Sequence, residues 1–197
     1  TLYAALYEKG IINKDIFSAY AKPGALLSEH PVLGSVPGIE ATSGSLGHGL
    51  SIGLGMALAA KIKNQNYRVF VLLSDGECNE GTIWEAAMLA PTLKLNNLCV
   101  IVDFNRWQAT GRSEEVTNLS PLSEKFSAFG WSSDNIDGHN HTDIYESMSK
   151  MSTINKPLAI IAHTIKGKGI SFMEDDNNWH YRIPNSNELK SAMKELN

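Results

Sequence analysis

Two short apolar runs, each closed by an oxygen-bearing side chain, constrain this chain more than any other feature. Val69-Phe70-Val71-Leu72-Leu73 leads into Ser74-Asp75-Gly76-Glu77, and Cys99-Val100-Ile101-Val102-Asp103-Phe104 leads into Asn105. Runs this short and continuous are those of strands buried in a parallel sheet. Residues 80–95 between them read as a helix, so the unit is strand, acidic-glycine turn, helix, strand, asparagine. Ligands of open α/β sheets settle beyond the carboxyl ends of the strands. Asp75 and Asn105, thirty positions apart, place a carboxylate and an amide carbonyl at two such ends. A Mg²⁺ ion carrying a diphosphate takes one or two protein oxygens together with phosphate oxygens. An Asp-Gly step after a strand is, taken alone, usually only a turn; the two-part pattern at this spacing is far more specific.

The rest of the chain fits the same layered plan. Residues 2–7 read as a helix stopped at Gly10, and Asn13 caps a second short helix ending at Tyr20. Residues 21–47 lack periodicity and are rich in Gly, Pro and Ser, and a long loop of this kind inside a compact domain is usually functional. A small-residue helix covers 46–63, with Gly49, Gly53 and Ala57 at a spacing of four, which permits close approach of another backbone. After the strand-helix-strand unit come a loop over 106–120, a helix from Pro121 to Phe129 and a strand over 131–136. The Asp137-Gly138 turn leads to a helix over 141–151, a fourth apolar strand over 158–163 and a second long loop over 167–185. Asn185 and Glu188 form a capping box for a last helix over 188–196. Strands alternating with helices predict one domain over 1–197 of α/β class, with a doubly wound, mostly parallel sheet and helices on both faces.

Composition excludes several classes of function. Lys and Arg number 17 against 21 Asp and Glu, for a net charge of −4 and no basic stripe, so nucleic acid is not an expected partner. The apolar stretches are far shorter than a membrane span, and no signal peptide is visible. Cys78 and Cys99 lack metal-ligand spacing and read as free thiols in a reducing, cytoplasmic setting. Residues 1–9 read as mid-domain helix, from which a missing upstream segment is expected.

Several constellations admit a plain reading beside a chemical one. In Thr42-Ser43-Gly44-Ser45-Leu46-Gly47-His48-Gly49, absent side chains let backbone approach a ligand. The helix that follows offers N–H groups and the positive end of its dipole. A nicotinamide dehydrogenase using Gly47, Gly49 and Gly53 would need a strand just before them. Val36-Pro37-Gly38-Ile39-Glu40 is a poor strand, so that reading is discounted. His163-Thr164-Ile165-Lys166-Gly167-Lys168-Gly169 lacks P-loop spacing. His139 and His141 belong more simply to a strand-to-helix turn than to a metal site. His30, before Pro31, is by itself a solvated loop histidine. Glu80 and Glu85, five apart, do not share one narrow helix face and are by default exposed acids.

Ser74-Asp75-Gly76-Glu77-Cys78-Asn79-Glu80-Gly81, Trp84-Glu85-Ala86 and Asp103-Phe104-Asn105-Arg106-Trp107-Gln108 resemble the metal-diphosphate motif of thiamine diphosphate enzymes, and among them the transketolase family. Pro37-Gly38-Ile39-Glu40, Gly44-Ser45-Leu46-Gly47 and Gly49-Leu50-Ser51 match as well, as do His30-Pro31, the lysine-glycine segment after the fourth strand and Trp179-His180. His48 stands where that family often has glutamine, and Tyr181 where it has glycine.

The resemblance covers nearly the whole chain and implies the N-terminal, diphosphate-binding subunit of a split transketolase. It implies thiamine diphosphate with Mg²⁺ (or Ca²⁺ or Mn²⁺) as cofactors. Asp75, Asn105 and the main-chain carbonyl of Trp107 would be the metal ligands. Gly76 would meet the diphosphate, and backbone at Gly44 and Leu46 would hold the aminopyrimidine region. His30 and His180 would contact substrate, His180 also the diphosphate, and Glu80, with Glu85, would lie in a carboxylate network at the subunit contact. The implied reaction transfers a two-carbon ketol unit from a ketose phosphate to an aldose. No segment matches the family's pyrimidine-binding domain, so the expected partner is a C-terminal subunit carrying it, in a heterotetramer, with the glycine-spaced helix at the contact. Another thiamine diphosphate enzyme, such as a deoxyxylulose phosphate synthase, and a non-catalytic scaffold relative stand as alternatives.

Overall fold

The computed structural model describes residues 1–196. They fall into two compact units, residues 1–48 and 49–196.

In the first unit, helix α1 (Leu2–Glu8) and helix α2 (Lys14–Ser18) precede a segment without regular structure. Asn13 caps α2 as expected, its side-chain oxygen accepting the Ile16 N–H. Tyr3, Leu6, Ile12, Leu27, Val36 and Ile39 form a small core, so the irregular segment is packed rather than draped. Gly38 makes that packing possible: its φ is +87°, and a Cβ there would stand 2.8 Å from the Leu6 side chain.

The second unit is a sheet of four parallel strands, β1 (Val69–Ser74), β2 (Leu98–Phe104), β3 (Ser132–Asp137) and β4 (Leu158–His163), in the order β1-β2-β4-β3. Helix α3 (Gly49–Ile62) precedes β1, and α4 (Gly81–Thr92) connects β1 to β2. Short α5 (Ser113–Val116) and α6 (Leu122–Phe129) lie between β2 and β3, α7 (His141–Ser149) leads into β4, and α8 (Ser186–Glu195) ends the described chain. The steps β1 to β2 and β2 to β3 run one way across the sheet, and β3 to β4 runs back. A right-handed crossover must then put α7 on the opposite face from α4 and α6. The cores agree: Leu50, Val71, Ile83, Val100, Phe126 and Ile161 fill one face, while Cys99, Met151, Leu158 and Ile160 lie in another cluster on the α7 side. The fold is thus the expected α/β type with helices on both faces. On the α7 side Phe70 and Leu72 of β1 stay exposed.

Most expected elements form within two residues of their bounds. The 46–63 helix starts at Gly49 instead, because Gly47 has φ +86° and the Leu46-Gly47 step is a turn. The 80–95 helix runs only to Thr92, with Glu80 as its N-cap, and a 3-10 turn, Gly76–Asn79, occupies the step from β1. The capping box at Asn185 and Glu188 is present. At the Asp137-Gly138-His139 turn, Asp137 Oδ1 accepts the His139 N–H at 2.8 Å. Among the described residues no helix is long and apolar enough to cross a membrane.

Candidate functional site

Because all four strands are parallel, their carboxyl ends share one edge. Ser74 is opposite Asp103 and Phe104 is opposite His163, so the sheet register brings Asp75 and Asn105 to neighbouring strand ends. Asp75 is only 3% exposed. Its Oδ1 accepts the Gly76 N–H at 2.8 Å and its Oδ2 the Ser113 hydroxyl at 2.8 Å. The Arg106 backbone N–H also donates to it. All three donors are neutral. A carboxylate has about four lone-pair sites, so at least one stays open. Burial holds the Asp75 carboxyl above the usual carboxylate range, opposed by these hydrogen bonds and aided by nearby Asp103. Among the described residues no cationic side chain pairs with it.

Asn105 opens a tight turn in which its Oδ1 accepts the Trp107 N–H at 2.9 Å, leaving that oxygen a second lone pair. Arg106 takes φ +66°, uncommon for a residue with a side chain. The turn is fixed by the Ser113 N–H on the Arg106 carbonyl at 3.0 Å and by an antiparallel bridge between Trp107 and Arg112. Gln108 lies over Gly76: a Cβ on Gly76 would stand 3.0 Å from Gln108 Cγ. The Gln108 amide nitrogen is buried and has no acceptor among the described residues.

These features fit a cation with its anion. A buried carboxylate surrounded by neutral donors lacks a counter-charge, and a buried amide N–H lacks an acceptor. Among the described residues no three His, Cys, Asp or Glu side chains group as metal ligands. A set made of one carboxylate, one amide and one main-chain carbonyl would not form such a group. A cavity of about 310 Å³ opens beside Asp75, lined among others by Phe104, Arg106, Ser113 and His163. It does not take in Gly76, Asn105, Trp107 or His180.

His180 ends a 3-10 turn, Asn177–His180, capped by Asp176. Its side chain is exposed, and partial burial followed by the Lys166 charge keeps its pKa below the usual histidine value. Glu80 and Glu85 are both exposed, so the chain leaves them free for an external contact. The small-residue face of α3 is not free: Ala57 is fully buried, and Gly49 and Gly53 lie against Val71 of β1. The close backbone approach expected of that spacing is made within the chain. Both thiols are buried and pushed up to about 12, chiefly by desolvation, which makes them unreactive.

In the first unit His30 and Gly44 meet. Gly44 takes φ +127°, and a Cβ there would stand 2.6 Å from the His30 ring. Leu46 is 59% exposed, an apolar side chain held out on a turn. Sequence reading missed Ser113, and it assigned no role to Gln108, Arg112 or Asp175. Ser113 reaches Asp75 across 38 positions from the start of α5, a helix of four residues that is too short to show a period.

Comparison with known proteins agrees with this architecture. The family model described as the transketolase, thiamine diphosphate binding domain matches residues 1–196, across both units. The chain is 42% identical over 196 residues to a subunit of the apulose-4-phosphate transketolase of Phocaeicola vulgatus, covering 99% of this chain and 69% of the relative. It is 38% identical over 196 residues to the 6-deoxy-6-sulfo-D-fructose transketolase subunit SqwG of a Clostridium species, covering 99% and 71%. The crystal structure of Campylobacter jejuni transketolase superposes with a TM-score of 0.93 at 26% identity, covering 99% of this chain. This chain spans 32% of that one. Transketolase of Pichia stipitis in complex with sedoheptulose 7-phosphate gives a TM-score of 0.92, also at 26% identity, with 99% and 31% covered. The chain belongs to the transketolase family, and what it carries is that family's thiamine diphosphate binding domain.

Proposed function

We propose that this chain holds the diphosphate end of thiamine diphosphate through a divalent cation, Mg²⁺ or its substitutes Ca²⁺ or Mn²⁺, and serves ketol transfer as one subunit of a two-chain transketolase. The observation that carries the proposal is Asp75, a buried carboxylate with neutral donors and, among the described residues, no cationic partner, beside the Asn105 turn. Asp75, the Asn105 side-chain oxygen and the Trp107 carbonyl are the ligands proposed for the cation. The Gly76 N–H and the Gln108 amide are donors suited to diphosphate oxygens. Backbone at Gly44 and Leu46 is assigned to the aminopyrimidine. The bound cofactor supplies the electron sink for carbon–carbon cleavage and formation. The protein's part is to orient it, exclude water and hold substrate oxygens.

His30 and His180 are assigned to substrate. Desolvation and the Lys166 charge lower the His180 pKa, which suits the neutral imidazole to donate a hydrogen bond. The two relatives are named for an apulose 4-phosphate and a 6-deoxy-6-sulfo-fructose, both sugars with an anionic tail. A ketose ending in phosphate or sulfonate is therefore the donor class we assign.

The same relatives are named as subunits, which supports a second polypeptide. That chain would supply the carboxylate that activates the aminopyrimidine, with Glu80 and Glu85 at the contact and two copies of each chain in the assembly. The test is a ketol-transfer assay of the complete protein with and without the subunit encoded beside it. Turnover should need both chains. Robust turnover by the purified chain alone would defeat the two-chain reading, and cofactor binding without turnover in the pair would favour a non-catalytic relative.

A further inference from the structure

Asp175 lies in the second long loop, 63 positions from Arg112, yet the two meet as a fork. Arg112 Nη1 donates to Asp175 Oδ1 at 2.7 Å and Nη2 to Oδ2 at 2.5 Å. The Trp107 indole N–H donates to the same Oδ1 at 2.8 Å. The Arg112 guanidinium sits 3.8 Å above the centre of the Trp107 ring. Asn177 adds a hydrogen bond to the Ala109 carbonyl at 3.2 Å. Two loops far apart in sequence are thereby closed on each other.

Each side of this clasp leads to a residue with an assigned task. Trp107 and Arg112 form the bridge that fixes the Asn105 turn. Asp175 has φ +56°, and its N–H donates to the Lys166 carbonyl at 2.8 Å. The next residue, Asp176, caps the turn that presents His180. A non-glycine residue kept at positive φ is held there by its surroundings, and such positions cluster at functional sites. The Arg112 and Asp175 side chains are 30% and 52% exposed, so solvent screens the charge attraction between them. What the fork and the stacked ring add is geometric definition, which a lysine could not reproduce.

We propose that Arg112 and Asp175 are positioning residues that hold the metal-binding turn through Trp107 and the His180 turn through Asp176 as one unit, so that neither loop moves alone. What each loop binds rests on the function proposed above; that they move together does not. The experiment uses the complete protein bound to its partner, as parent and as the variants Arg112→Ala, Asp175→Asn, Arg112→Lys and the double variant Arg112→Ala with Asp175→Asn.

Hydrogen exchange is measured first, without cofactor or substrate. Exchange should rise in both segments, 105–112 and 174–180, whichever partner is changed. Faster exchange confined to the substituted segment would overturn the proposal. The dissociation constant for Mg²⁺ at saturating thiamine diphosphate is then measured by calorimetry, and KM for a phosphorylated ketose by kinetics. Both should rise by about tenfold, the low end of the cost of losing a group behind a metal ligand, with a smaller change in kcat. The double variant should be no worse than either single one, as expected of residues acting as a unit. Additive losses, or full retention of both constants in Arg112→Lys, would overturn it. If the unsubstituted protein binds neither Mg²⁺ nor thiamine diphosphate, the function proposed above fails, while the exchange result still decides the clasp.

Discussion

Asp75 and Asp175 stand in neighbouring loops of one unit and face opposite electrostatic situations. Asp75 is buried at the end of β1, receives neutral donors, and has its carboxyl held above the usual range by desolvation. Asp175 is exposed, accepts a forked arginine and an indole, and has its carboxyl held below that range, first by the Arg112 hydrogen bond. One carboxyl is satisfied by the protein's own arginine, and the other meets only neutral donors among the described residues. A buried charge without a partner is costly to maintain, so its presence points to a ligand, whereas the satisfied pair points to architecture.

The largest effect expected from this contrast is in ligand-linked stability. Thiamine diphosphate and Mg²⁺ together should stabilise the complete, partner-bound protein by about 2.7 kcal/mol at a hundredfold excess over the dissociation constant. Asp75→Ala should abolish that gain, and Asp175→Asn should keep roughly half of it. Equal losses in the two variants, read from thermal unfolding, would erase the distinction between them.

Next in size is His180, presented by the turn that follows Asp175. Losing a hydrogen bond to a charged group costs about 1.5 kcal/mol or more, so His180→Ala should raise KM for a phosphorylated ketose about tenfold or more and weaken cofactor binding by less. Unchanged kinetics would take His180 out of the site. Gly76→Ala sharpens the picture on the Asp75 side. The new methyl would press on Gln108 at 3.0 Å, costing about 1 kcal/mol of stability and weakening thiamine diphosphate binding measured by fluorescence quenching. Unaltered affinity would show that Gly76 is not against the cofactor.

The smallest effect is one of sign. With cation removed by chelator, Asp75 keeps its proton in the folded protein at pH values where the unfolded chain has lost it. Its contribution to stability therefore falls as pH rises through the raised pKa. Asp175 behaves oppositely: its contribution is present above the unfolded value of about 3.9 and is lost as pH falls through the depressed one. Thermal unfolding of Asp75→Asn and Asp175→Asn against pH, each compared with the parent, should give difference curves of opposite slope. Curves of the same sign would break the comparison.

The same contrast explains what could be read in the sequence. β2 and β4 announce themselves as continuous apolar runs because both their faces are covered, β1 is equally apolar although Phe70 and Leu72 are exposed, and Asp75 and Asn105 are legible because they follow two of those runs. β3 is the polar edge strand Ser132–Asp137 and lacks the continuous apolar run that marks the other three. The 3-10 turn Gly76–Asn79 is too short to show a period. Ser113 and the Arg112–Asp175 clasp left no trace, because contacts across 38 and 63 positions between segments without a period exist only once the sheet has placed those segments. The glycine spacing of α3 was a true signal of close packing, but a spacing cannot say whether the neighbour is a partner or, as here, β1.

The most direct test of the account is a crystal structure of the complete protein with its partner, grown with thiamine diphosphate and Mn²⁺. The account predicts an anomalous peak for Mn²⁺ at about 2.1 Å from an Asp75 carboxylate oxygen, with Asn105 and the Trp107 carbonyl completing the protein ligands. Mn²⁺ bound elsewhere, or Asp75 still surrounded only by Gly76, Arg106 and Ser113 while the cofactor is in place, would contradict it.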